Sequence, residues 1–249
     1  MRFILPLLLA LCLTTIAHAG VILNTLEASP KAGPGLSGRI GGLFSAKGGN
    51  SEEVSLEAGG RLDWVVGSQR LRLQVTGNYE ETSGVETERN IVGHLRHNRR
   101  LNDQWSSILF AQIQHNPFQH LKRRWLLGAG PRYDMVRTEQ DLVALGATPM
   151  LEIELVDGRE ESLSRGRLST FLQLSRRLSS TTRLTGTGFY QPLFADFSSV
   201  RAVGDLALVV DVTGALELKT GYAVEYNSEP PEGVQDTDWS TYLGLTYGF

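Results

Sequence analysis

Apolar and polar side chains alternate with a period of two through almost the whole sequence after residue 35. In the clearest segment, residues 71–80, one face carries the residues LLVGY and the other carries RQTNE. Side chains of a β-strand point alternately to opposite faces, whereas an α-helix would spread these charged groups around its circumference. About twelve segments follow this pattern, which predicts an all-β fold.

The connections between these segments alternate between short and long. Short connections fall at 67–69, 102–104, 138–141, 179–181 and 213–214, and longer ones at 81–88, 116–122, 157–162, 195–199 and 227–237. The first connection of the longer class, at 47–50, is itself short. Barrels of the outer membrane have short periplasmic turns and longer outer loops, and their strands close because lipid offers no partner to a free edge. The sequence therefore predicts a transmembrane antiparallel β-barrel of about 12 strands, with short periplasmic turns and longer outer loops.

Aromatic side chains lie at both ends of the predicted apolar faces. The last segment, 239–249, is about the length that a tilted strand needs to cross the hydrocarbon layer, and it ends on Phe249. Aromatic girdles mark the two interfaces of membrane barrels, whereas a soluble barrel or sandwich would bury several of its tryptophans. The predicted girdle consists of Trp64, Trp105, Tyr247 and Phe249 at the periplasmic end and of Tyr79, Trp125, Tyr226 and Trp239 at the outer end.

The first residues have the features of a secretory signal. A basic start is followed by an apolar run from Ile4 to Leu13 and by the small residues of Ala17-His-Ala19. This pattern predicts a signal peptide over 1–19 with cleavage near Ala19. Residues 20–35, rich in Gly and Pro, are then expected to form an irregular periplasmic lead-in, and 36–249 to form the barrel. Cys12 would be removed with the signal, so disulfide bonds and thiol chemistry are excluded from the mature chain.

The predicted inner face is unusually rich in charge. Its expected charge network contains Arg61, Arg72, Arg96, Arg132, Glu152, Glu154, Arg165, Arg167, Arg183, Arg201, Asp205, Glu217 and Lys219. Glu152 and Glu154 are expected to face Arg165 and Arg167 across one hairpin. Rings of charge can sort ions along a solute path, but paired charges can also fill and stiffen a lumen. Twelve strands lie between the filled barrels of about eight strands and the open ones of 16–18, so both interpretations stay open.

Residue types that would support catalysis are sparse. The mature chain has four histidines, and His115 and His120 flank a predicted outer loop, where they are expected to be polar surface. No G-x-S-x-G motif and no phosphate-binding glycine loop is present, so a non-enzymatic protein without cofactor or metal is predicted. The formal charge of −3 argues against a nucleic-acid partner. Two alternatives are a lipid- or ligand-processing outer-membrane enzyme and a soluble periplasmic lipid-binding barrel.

Several short motifs resemble one known family. They are Gly48-Gly-Asn-Ser51, Pro117-Phe-Gln-His-Leu121, Tyr190-Gln-Pro192 with Asp196 and Arg201, the stretch 226–234, and Gly244-Leu-Thr-Tyr-Gly-Phe249. The chain thus resembles the family of unknown function numbered 481, which includes the salt-stress-induced outer-membrane protein. His115 and Asn116 stand where the family pattern would have acidic residues.

The resemblance implies an outer-membrane β-barrel with no established substrate or catalytic residues. The expected role is either envelope integrity under osmotic or salt stress or a narrow solute or ion channel. The expected partners are outer-membrane lipid and lipopolysaccharide, together with the barrel-assembly machinery, since an alternating strand that ends on an aromatic residue resembles its recognition signal.

Overall fold

The computed structural model describes residues 34–47, 53–158, 160–230 and 236–249. The predicted signal peptide, nearly all of the predicted lead-in and most of the predicted turn at 47–50 lie outside these ranges. No helix in the described part of the chain is long and apolar enough to span a membrane.

The described chain is almost entirely strand. The strands contain from 11 to 17 residues, and a single 3-10 turn (Pro117–Gln119) interrupts them. The twelve strands are β1 (Gly35–Lys47), β2 (Glu53–Val66), β3 (Gln69–Thr82), β4 (Val85–Arg100), β5 (Trp105–Asn116), β6 (Leu121–Arg137), β7 (Asp141–Val156), β8 (Leu163–Arg177), β9 (Thr182–Pro192), β10 (Val200–Asp211), β11 (Leu216–Asn227) and β12 (Thr237–Gly248).

Each strand pairs antiparallel with its neighbours in sequence, and β1 pairs with β12 to close the sheet. The closing seam has four residue pairs, from Arg39 with Gly248 to Gly42 with Leu245. Two backbone hydrogen bonds between Gly38 and Phe249, of 2.8 and 2.9 Å, extend the seam at one end. The predicted 12-stranded antiparallel β-barrel is confirmed.

The barrel is apolar outside and polar inside. On β5, the outward Leu109 is 58% exposed, whereas the inward Gln114 is 1% exposed. Large apolar side chains are exposed in the same way around the whole outer wall. Soluble proteins rarely expose an apolar surface of this extent, and a barrel surrounded by lipid requires one. The two-residue alternation of the sequence therefore places successive side chains alternately on the apolar outer face and the polar inner face of the barrel.

The two ends of the barrel differ in their connections. At the turn end, the connections are 67–68, 101–104, 138–140, 178–181 and 212–215; the loop end carries 117–120, 157–162, 193–199 and 228–236. The predicted long connection at 81–88 is wrong, because only Ser83 and Gly84 separate β3 from β4. Both residues have positive φ, as two-residue hairpins of type I′ require.

Candidate functional site

A network of five charged residues occupies the lumen near the loop end. Arg201 reaches Glu152 (Nη1–Oε2, 2.5 Å) and Glu154 (Nη2–Oε1, 3.2 Å). Arg124 lies 2.5 Å from Glu154, and Arg167 lies 3.3 Å from Glu152. All five side chains are buried, and buried charges persist only when they are paired. The network therefore cross-links β6, β7, β8 and β10 and fills this side of the lumen.

Arg167 also holds the connection between β9 and β10. Its Nη1 donates to the carbonyl oxygens of Gln191 (3.0 Å) and Ser199 (3.4 Å). Within that connection, Asp196 accepts hydrogen bonds from the backbone N–H and the hydroxyl of Ser198, and these bonds lower the pKa of Asp196. The family-like motif around 190–201 thus lies where a loop joins the buried network.

Near the turn end, three arginines surround one carboxylate. Asp63 lies 2.8 Å from Arg72, 3.1 Å from Arg61 and 3.9 Å from Arg70. Arg61, Arg72 and Asp63 are buried, whereas the Arg70 side chain remains one-third exposed. Among the described residues, this group therefore has three guanidinium groups and one carboxylate.

A second arginine group lies beside it on the inner wall. Asp134 accepts hydrogen bonds from Arg132 (2.8 Å) and Arg137 (2.9 Å), and Arg132 also donates to Gln173 (2.7 Å). Arg96 lies with its guanidinium 5.6 Å from the centre of the Phe171 ring. We call Arg61, Arg70, Arg72, Arg132 and Arg137, with Asp63 and Asp134, the turn-end arginine cluster.

The opposite wall has smaller charged groups. Glu217 pairs with Arg39 and lies 4.0 Å from Arg183. Lys219 lies 3.6 Å from Asp205. These groups comprise three bases and two acids, so their excess of one positive charge is smaller than the excess of three in the turn-end arginine cluster.

The structure brings Glu152 and Arg167 together but not the predicted partner Arg165. Arg165 is opposite Glu152 in the strand register, yet it makes no ion pair with Glu152 or Glu154. Their partners are Arg124 on β6 and Arg201 on β10 instead. Arg165 therefore faces Glu152 across the hairpin, as expected, but the ion pairs of Glu152 are with Arg167 and Arg201.

An apolar belt separates the two charged zones of the lumen. It consists of inward side chains on β5 to β9: Ile108, Phe110, Leu126, Met150, Phe171 and Phe189. These residues form part of the lining of a small cavity, with a volume of about 40 Å³. Sequence reasoning missed this belt, although Ile108 and Phe110 are visible signals, because they break the polar side of an alternating strand.

Two glycines make room for the rings of the belt. A Cβ atom on Gly128 would lie 2.5 Å from Phe110, and one on Gly146 would lie 2.2 Å from Phe171. Carbon atoms do not approach so closely without displacement, since van der Waals contact begins near 3.5 Å. The rings of Phe110 and Phe171 therefore lie flat over glycines of the neighbouring strands.

His94 is the histidine that lies inside the barrel. It is 4% exposed, lines the same cavity, and stacks on Phe110 with ring centres 5.4 Å apart. Its Nδ1 lies 3.0 Å from Oε1 of Gln112, whereas its Nε2 is buried without a hydrogen-bond partner. His115 and His120 are exposed near the loop end. His94 had no role in the sequence-based prediction, and only its place on the polar face of its strand could have indicated one.

The lumen is filled unevenly around its circumference. On β4 to β9, inward groups such as Gln114 and Arg167 are almost fully buried. On β3, β11 and β12, inward groups such as Thr76 and Thr246 are only half-buried, and a Cβ on Gly244 would meet nothing within 4 Å. Because these positions face the lumen, their exposure measures the space inside the barrel. One side is packed and the other is open.

The eight aromatic residues of the predicted girdle all lie exposed on the outer wall. Trp64, Trp105, Tyr247 and Phe249 lie near the turn end, and Tyr79, Trp125, Tyr226 and Trp239 lie near the loop end. Their contact with the two lipid interfaces remains a prediction.

The barrel is similar to solved outer-membrane proteins. It matches the NanC porin with a TM-score of 0.53 at 10% identity, over 85% of this chain and 98% of that one. It matches the translocator domain of the autotransporter NalP from Neisseria meningitidis with a TM-score of 0.51 at 15% identity, over 88% and 90%. At these identities the likeness shows the fold alone.

Sequence comparison shows the family. No curated protein sequence matches the chain. The model of one family matches residues 42–249, which is nearly the whole described barrel. The chain belongs to the family described as protein of unknown function, DUF481.

Proposed function

We propose that this protein is a non-enzymatic outer-membrane barrel that forms a narrow channel for small solutes and favours anions. The observation that carries this proposal is the uneven lumen, packed on β4 to β9 and open beside Gly244. A lumen that served only as a rigid plug would be expected to be packed all around. Filling one side of a 12-stranded barrel leaves a path narrower than that of the 16–18-stranded porins.

The preference for anions is supported by the turn-end arginine cluster. Its five arginines face two aspartates, which leaves a positive excess at one mouth of the lumen. Charge of one sign in a cleft with low-dielectric walls raises the local concentration of ions of the opposite sign. We therefore expect small anions to enter more readily than cations.

Conduction can be tested in planar lipid bilayers with the purified, folded protein. We expect discrete, small conductance steps. Gly244→Trp should reduce them, because the indole would project into the open side of the lumen. Gly60 lies on the outward face of β2, so Gly60→Trp serves as the control and should leave conductance unchanged. Silence of the folded wild-type protein, or equal currents from both variants, would refute the channel.

Selectivity can be tested by the reversal potential in a potassium chloride gradient. Arg70 and Arg137 are the more exposed members of the turn-end arginine cluster, so their replacement threatens the fold least. We expect Arg70→Gln with Arg137→Gln to shift the reversal potential toward cations. Arg176, exposed on the outer wall near the same end and close to Asp141, provides the control variant Arg176→Gln. An unchanged potential in the double variant would contradict the assigned preference.

A second candidate is a role in envelope integrity of the salt-stress type. The buried network that links four strands supports it, because such a network stiffens the wall whether or not the lumen conducts. A strain lacking the protein should then be sensitive to salt. Rescue by Gly244→Trp as complete as rescue by wild type would favour the structural role over the channel.

Location in the outer membrane is part of the same proposal. The exposed apolar wall and its aromatic ends support contact with membrane lipid and lipopolysaccharide. Cleavage near Ala19 and recognition of β12 by the barrel-assembly machinery complete the expected route. The mature mass of the protein in purified outer membranes tests the cleavage, and a Phe249 deletion that still assembles at the wild-type level would contradict the role of the last strand.

A further inference from the structure

Arg70 lies at the exposed edge of the turn-end arginine cluster, where its ion pair is long and shared. Nε of Arg70 is 3.9 Å from Oδ1 of Asp63, which is too far for a hydrogen bond. Arg72 and Arg61 lie closer to the same carboxylate, at 2.8 and 3.1 Å. A guanidinium group has five N–H donors, so the Arg70 side chain, one-third exposed, can still bind an acceptor that comes from solution.

Arg70 is also surrounded by charges of its own sign. The guanidinium groups of Arg61, Arg132 and Arg137 are close enough to repel it, although they lie on β2 and β6. Among the charges that act on Arg70 in the described part of the chain, that of Asp63 is the attractive one. Like charges held together destabilise a fold unless a counter-charge joins them, so this arrangement favours a bound anion.

Arg137 offers a second exposed guanidinium group at the same edge. Its Nε and Nη2 both donate to Oδ2 of Asp134, which leaves Nη1 for another acceptor. The Arg137 side chain is 41% exposed, whereas that of Arg132, which shares Asp134, is largely buried. Arg70 and Arg137 thus lie within electrostatic range of each other at the opening of the cluster, with buried arginines behind them.

The chemistry of the arginines determines the kind of anion. Two N–H groups of a guanidinium match the two oxygens of a carboxylate or phosphate group, whereas a chloride ion offers no such pair. The five arginines and two aspartates of the cluster leave an excess of three positive charges among the described residues. An anion with several oxyanion groups can contact Arg70 and Arg137 at once and compensate more of this excess than a singly charged ion.

We propose that the turn-end arginine cluster is a binding site for a small oxyanion with two or three negative charges, held between Arg70 and Arg137. The inference rests on the proposed anion preference and deepens it, because it names the class of solute that the positively charged mouth binds. Binding at equilibrium does not require conduction, so the site and the channel can fail separately.

Isothermal titration calorimetry of the full-length mature barrel tests the site with pyrophosphate and tricarballylate. The barrel is folded in a nonionic detergent, in phosphate-free buffer at one fixed ionic strength, because salt screens exposed charges. We expect saturable binding of at least one probe, and at least about tenfold weaker binding of acetate, which makes fewer charge-assisted hydrogen bonds. Tighter binding of pyrophosphate identifies a phosphate ligand, and tighter binding of tricarballylate identifies a carboxylate ligand.

Variants locate the site within the barrel. Arg70→Gln should weaken the bound probe by at least about tenfold, the range for a hydrogen bond to a charged group. Arg176→Gln, exposed on the outer wall near the same end, is the control and should leave the affinity unchanged. In ligand-free buffer, the urea midpoint of Arg70→Gln should be at least that of wild type, because the variant removes a repelled charge. A lower midpoint would contradict the repulsion on which the site rests.

Urea titration with the probe present is a second measurement of binding. An anion that binds only the folded barrel raises the urea midpoint of wild type, and it should raise that of Arg70→Gln much less. The inference is overturned if neither probe binds the wild-type barrel saturably, if acetate binds as tightly as both, or if Arg70→Gln keeps the wild-type affinity. Anion-selective currents from a barrel that binds neither probe would overturn this site alone, whereas binding by a silent barrel would overturn only the channel.

Discussion

Removal of Glu152 should destabilise the barrel far more than removal of Arg201, although the two side chains touch. The network has three arginines and two glutamates, so its charge is unbalanced by one. Arg201→Gln leaves two arginine–glutamate pairs, Arg124 with Glu154 and Arg167 with Glu152. Glu152→Gln leaves three guanidinium groups around a single carboxylate in a buried site.

The expected magnitudes follow from burial and distance. Unit charges 3.3 Å apart interact by about 5 kcal/mol at an effective dielectric constant of about 20, and breaking a buried pair from one side costs about 3–5 kcal/mol. We therefore expect Glu152→Gln to lower the free energy of unfolding by about 3–5 kcal/mol. Arg201→Gln loses hydrogen bonds but leaves both carboxylates paired, so about 1–2 kcal/mol is expected.

Urea titration of the barrel in lipid vesicles measures these differences through tryptophan emission. All four tryptophans lie on the outer wall, so their emission shifts to the red when they leave lipid. Glu86→Gln, which breaks an exposed pair with Arg89, is the control and should leave the urea midpoint nearly unchanged. The double variant Glu152→Gln with Arg201→Gln should be more stable than Glu152→Gln alone. Equal losses for the two single variants would refute the charge balance.

Three further substitutions test the packing, the hairpin and the outer wall. Gly128→Ala should lower the free energy of unfolding by about 1–3 kcal/mol because it displaces Phe110, whereas Gly244→Ala, with nothing nearby, should stay within about 0.5 kcal/mol in the same titration. Gly84→Ala should cost about 1 kcal/mol, since φ is +77° there, and a neutral result would argue against the two-residue turn. Val75→Arg, midway along an outward face, should cost about 2–4 kcal/mol in lipid, and full tolerance would mean that this face does not meet the bilayer core.

The fold could be predicted from the sequence because the two faces of the barrel wall have different environments, an apolar one outside and a polar one inside. Residues 71–80 alternate cleanly, since one side meets the exterior and the other meets charged or polar groups. The predicted loop at 81–88 failed for a physical reason. Where a hairpin extends beyond the aromatic residues, both of its faces can be polar, so composition no longer distinguishes a strand from a loop.

The internal site was less accessible to sequence reasoning. Alternation assigns Ile108 and Phe110 to the inner face, but it does not show that residues of other strands meet them there. Ion pairs have the same difficulty: Arg201 and Glu152 are separated by two intervening strands, and only long side chains bridge that distance. The strand register places Arg165 opposite Glu152, yet Glu152 forms its ion pairs with Arg167 and Arg201.

The two halves of the lumen depend on each other. Buried arginines and glutamates neutralise one another on the packed side of the lumen. That side can therefore be filled without an apolar core as large as the barrel. Small residues such as Gly244 and Thr246 on the opposite wall leave the remaining space open. The interior of the 12-stranded barrel is thus divided between rigidly packed side chains on one side and an open passage on the other. Changes in the filling should therefore alter stability first, whereas changes beside Gly244 should alter passage first.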